Sequence, residues 1–88
     1  MATKAQHERE YAAIPRFLRQ AREEAQLTQR ELGQRLEKPQ SWVFNCETGN
    51  RRVDITEFIA WVRACGANPR EAFDRLLRVL AVRKEKPR

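Results

Sequence analysis

The chain has 88 residues, with 18 Lys and Arg against 12 Asp and Glu and a formal charge of +6; it fits one small domain with a modest core, drawn to polyanions such as nucleic acid or an anionic membrane. No apolar run approaches the ~20 residues of a membrane span and the polar start "MATKAQHERE" holds no targeting signal, so a cytoplasmic protein without a membrane role is expected. Cys46 and Cys65 lack metal-ligand spacing and read as buried, reduced cysteines.

Gly and Pro are few and alternating or β-branched runs are missing, so the chain is expected to be all-α. Residues 8–13, "EREYAA", add an N-terminal turn or a separate short helix to the leader 1–13. "IPRFLRQAREEA" spaces Ile14, Phe17, Leu18, Ala21 and Ala25 at three- and four-residue steps, with Pro15 in the first turn, where its missing N–H costs nothing. Thr28 with Glu31 is a capping box, which predicts a helix from Gln29 to Leu36. A further helix follows from Gln40, with Pro39 near its first turn and Gly49 past its end. Asp54 and Glu57 repeat the box before "ITEFIAWVRAC", whose Ile55, Phe58, Ile59 and Val62 form an apolar stripe ending at Gly66. Asn68 and Pro69 cap and open a last helix over 70–83, with Phe73, Leu76, Leu77 and Leu80 on one side, before a basic tail at 84–88 that is expected to be disordered.

Only three residues separate Leu36 from Gln40, so the two central helices meet at a sharp angle, as in a helix-turn-helix. At about 100° per residue, Val43 and Cys46 share the inner face of the second of these, and Ser41, Phe44, Asn45 and Thr48 the outer arc. That arc carries groups able to meet the edges of base pairs.

Residues 18–69 resemble the Cro/Xre-type helix-turn-helix domain of phage and bacterial repressors. The likeness rests on "LTQRELGQRL", on Gln40 and Val43, on "E-x-G-x-R" at Glu47 to Arg51, and on the cap that follows. It implies a compact five-helix bundle of the lambda-repressor-like type, with the domain over 14–69. The helix at Gln29–Leu36 would be the positioning helix and that at Gln40–Thr48 the recognition helix, which enters the major groove. By this resemblance Gln40, Ser41 and Asn45 read bases, and Phe44 lies on a thymine methyl or marks a protein interface. Gln29, Arg51 and Arg52 hold phosphates, while Trp42 packs with its N–H directed outward, to phosphate, or touches DNA or a partner directly. The Glu at position 47 pairs with Arg22. Gly is common in the family where Gln26 and Glu37 stand, so these turns are either strained or built differently, and Gly33 replaces an Ala at the helix crossing.

The expected partner is double-stranded DNA, bound by a homodimeric repressor on a palindromic operator; Leu76 and Leu80 of the last helix are candidates for the dimer seam. The rival is an antitoxin or adaptor that binds a protein partner, a toxin or regulator. The sole His, His7, lies in the leader, and there is no Gly-rich phosphate loop and no nucleophile beside a base. Neither enzyme activity nor a metal or cofactor is expected.

Overall fold

The computed structural model describes residues 4–84, which form six helices: α1 (Lys4–Tyr11), α2 (Ala13–Glu24), α3 (Gln29–Leu36), α4 (Gln40–Glu47), α5 (Ile55–Ala64) and α6 (Pro69–Lys84). The five expected helices are α2 to α6. The leader forms a separate helix, described from Lys4 onward, which passes into α2 through Ala12, whose own backbone is helical (φ −58°, ψ −23°). The expected disorder of the tail concerns residues outside those described, apart from Lys84, which still belongs to α6.

Side-chain caps set the helix starts. Thr28 Oγ1 accepts the Glu31 N–H at 3.0 Å while the Glu31 carboxylate accepts the Thr28 N–H at 2.8 Å, and Asp54 and Glu57 do the same at α5. Asn68 Oδ1 takes the N–H groups of Arg70 and Glu71, opening α6. Each pair supplies partners for amides that the first helical turn leaves without one.

Both turns that lack the family's glycine keep the left-handed geometry: Gln26 has φ 60° and Glu37 φ 57°. A residue with a Cβ is held there at a cost on the order of 1 kcal/mol. Glu37→Gly is therefore expected to raise stability by up to about 1 kcal/mol in chemical denaturation, since the left-handed residue then carries no Cβ. Gly33 answers a different need. A Cβ on it would lie 2.6 Å from the Lys38 carbonyl oxygen, so the α3–α4 turn closes directly over it, and the Lys38 N–H donates to the Gly33 carbonyl at 2.8 Å.

Leu18, Leu32, Val43, Cys46, Trp61 and Val62 are fully buried and join α2, α3, α4 and α5 in one core. Trp61 gives its indole N–H to the Leu18 carbonyl at 3.0 Å, so its one polar atom is satisfied inside. Ile55, expected in the α5 stripe, is instead 60% exposed. It is the first helical residue after the Asp54 cap, and the buried residues of α5 are Phe58, Trp61 and Val62. On α6 the inner face is Ala72 and Leu76, with Leu80 half-buried against the core and Phe73 and Leu77 exposed. Leu76 is thus covered by its own chain and has little surface left for the dimer seam assigned to it. Both cysteines are free: Cys46 is buried, while Cys65 is only half-buried. Burial pushes both thiols up, Cys65 to about 11.

Candidate nucleic-acid interface

The α4 helix is held from beneath by an ion pair. Arg22 of α2 donates from Nε to Glu47 Oε2 at 2.6 Å and from Nη2 to Oε1 at 3.0 Å, and its Nη1 donates to the Leu27 carbonyl at 2.8 Å. The two side chains are 11% and 2% exposed. The hydrogen bonds to Glu47 hold the guanidinium above its ordinary range, against the opposing effect of burial. This joins the last turn of α2 to the last turn of α4.

The pair does not end there. Gln29 Nε2 donates to Glu47 Oε1 at 3.0 Å, and Gln29 Oε1 accepts from Gln40 Nε2 at 3.2 Å. A relay of side-chain bonds thus runs from the buried pair through the first residue of α3 to the first residue of α4. Gln29 and Gln40 are positioned together by it, Gln29 half-buried and Gln40 exposed.

On α4, Val43 and Cys46 face the core, whereas Ser41 and Thr48 are exposed, Phe44 is 48% exposed and Asn45 is half-buried. Asn45 Oδ1 accepts a long hydrogen bond of 3.4 Å from Asn50, and the Arg51 N–H folds the following loop back onto the Asn45 carbonyl at 3.1 Å. An arc of hydroxyl, ring and amide is therefore presented away from the core on a helix fixed at both ends.

The helix-turn-helix domain family matches residues 14–85. A solved structure, an XRE-family like protein from Pseudomonas syringae pv. tomato str. DC3000, is 37% identical and superposes with a TM-score of 0.79, covering 86% of this chain and 93% of that one. The chain belongs to the XRE-like helix-turn-helix family. No curated protein matches. An XRE-type helix-turn-helix is a DNA-binding domain, and DNA is the partner that membership implies. Among the described residues no helix is long and apolar enough to cross a membrane.

Within this XRE-type domain the two arginines after α4, alike in sequence, differ in their surroundings. Arg51 is tied into the protein: Nη1 and Nη2 reach the two Glu57 oxygens at 3.0 and 2.9 Å, and Nη1 also donates to the Arg52 carbonyl. Its guanidinium lies 5.1 Å from the Trp42 ring, which Lys38 also approaches at 5.2 Å. Trp42 in turn packs tilted on Trp61 at 6.1 Å between ring centroids, so its ring serves the core and seats these cations. Arg52 is exposed, with its guanidinium 4.2 Å from the Tyr11 ring. The contact with Tyr11 had no signal in the sequence, because it joins residues 41 apart that share no motif.

The Arg51 hydrogen bond holds the Glu57 carboxylate below the usual range, and the bond from the Glu57 N–H lowers Asp54 in the same way. A depressed carboxylate stabilises the fold above its unfolded pKa and loses that contribution as pH falls through the folded one. Thermal stability is expected to fall as pH drops below the ordinary carboxylate range. Glu57→Gln should start less stable at neutral pH and lose less on acidification, read from melting curves between pH 7 and pH 3.

Proposed function

We propose that the protein is a transcriptional repressor that binds double-stranded DNA sequence-specifically, as a homodimer on a palindromic operator. One observation carries this reading: the arc of Ser41, Phe44 and Asn45 is turned away from the core on a helix whose first residue, Gln40, is tethered through Gln29 to a buried ion pair. In the major groove, Asn45 and Gln40 have the amide donors and acceptors that pair with adenine, and the Phe44 ring suits a thymine methyl. Arg52 then meets a phosphate, which sets register and carries no sequence information.

The dimer seam falls on α6. Leu80 is half-buried there, and Phe73 and Leu77, 43% and 47% exposed, offer the apolar surface that Leu76 does not. Selection of bound fragments from random DNA tests the proposal. The expected product is a two-fold symmetric site with half-site centres about one helical turn, ~34 Å, apart. Recovery of a single unpaired half-site would remove the dimer, and recovery of no common sequence would remove the repressor.

A second reading is favoured by Phe44 alone, since a half-exposed ring on this face also fits a protein partner. Under that reading Phe44→Ala would leave DNA affinity unchanged and abolish capture of the partner.

A further inference from the structure

The structure joins the leader helix to the arginine next to the recognition helix. Tyr11, the last residue of α1, accepts the Val53 N–H on its hydroxyl at 2.9 Å, and its ring lies 4.2 Å from the Arg52 guanidinium. One side chain therefore holds both the backbone just after Arg52 and the cationic group itself. A guanidinium held over an aromatic ring is attracted by the ring's quadrupole without needing a carboxylate to occupy its fork, which leaves N–H donors for another acceptor. Those donors match two phosphate oxygens. Arg51 makes the contrast, because Glu57 occupies its fork. His7 and Glu10 line the recess beside Tyr11 and Arg52, together with Ile14 and Leu80, so α1 is packed against this corner and not only strung ahead of it.

We infer that Tyr11 is a positioning residue for DNA: it holds the Arg52 guanidinium ready for a backbone phosphate, which makes the leader helix α1 part of the interface. The inference rests on the proposed DNA-binding role, but a phosphate contact is independent of sequence. It is therefore tested on a mixed-sequence duplex of about 20 base pairs, whatever the outcome for operator preference.

The experiment titrates that duplex at several salt concentrations with the full chain and its Arg52→Ala, Tyr11→Phe, Tyr11→Ala and Tyr11→Ala/Arg52→Ala variants. Arg52→Ala should flatten the salt dependence by about one unit. Tyr11→Ala should weaken binding roughly two- to fivefold, the size of an exposed cation–π contact, and Tyr11→Phe, which keeps the ring, should retain most of the affinity. In the Arg52→Ala background, Tyr11→Ala should cost nothing more. A role in folding alone would persist in that background, so multiplying losses overturn the inference, as does wild-type affinity in Tyr11→Ala or a Tyr11→Phe variant as weak as Tyr11→Ala. If Tyr11→Ala does not fold, NMR on the wild-type chain decides. The Arg52 Nε–H signal should be displaced by the ring and move on adding the duplex, and a signal at the position of a free arginine overturns the inference.

Discussion

Glu47→Ala should lower the stability of the fold by about 3–5 kcal/mol, the cost of breaking a buried ion pair from one side. The large figure follows from what is left behind. Arg22 keeps its bond to the Leu27 carbonyl but loses both charge-assisted hydrogen bonds, and with them its one ionic partner, while remaining largely enclosed, 11% exposed at the side chain. A domain of this size has roughly 5–15 kcal/mol in hand, so the variant should melt on the order of 15–30 °C lower. Glu47→Gln should cost less, because the amide retains an acceptor for one guanidinium N–H. Replacing both partners with apolar residues of similar volume should recover much of the loss, since no charge is then stranded. An unchanged melting temperature for Glu47→Ala would refute the structural role. The substitution also reaches the interface, since Gln29 loses the acceptor that holds it in place for Gln40.

The second large effect concerns binding and leaves the fold alone. Asn45→Ala should reduce affinity for the preferred duplex by about 1–3 kcal/mol, or roughly 5- to 150-fold, the worth of a paired amide on adenine. Its side chain lies outside the core and, among the described residues, makes only the 3.4 Å bond to Asn50, so melting should change little. Discrimination should relax at one base position and affinity for unrelated DNA should stay the same. Equal losses on all sequences would assign Asn45 to the backbone instead.

Local chemistry made much of this fold legible. The Thr28–Glu31 and Asp54–Glu57 boxes and the Asn68–Pro69 start depend on residues a few positions apart, and the helices begin where those residues predict. The outward arc of α4 follows from helical spacing once Val43 and Cys46 are taken as core. What escaped depended on distant neighbours. The apolar stripe of α6 is wide, and only packing against α2 and α5 decides that Ala72 and Leu76 turn inward while Phe73 and Leu77 remain outside. Ile55 fitted the α5 stripe by spacing, yet Trp61 is the residue whose N–H finds a carbonyl across the core. Arg51 and Arg52 are chemically the same letter; the fold separates them by giving one a carboxylate six residues on and the other an aromatic ring from the leader.

The most direct measurement compares, across a range of salt concentrations, affinity for the duplex recovered by selection with affinity for the same composition scrambled. Salt weakens phosphate contacts on both duplexes, so what survives reports base reading by α4. A preference of ~10³ or more that persists at high salt is the predicted result. Equal affinities at every salt concentration would contradict it, leaving a basic surface that holds any duplex by its backbone.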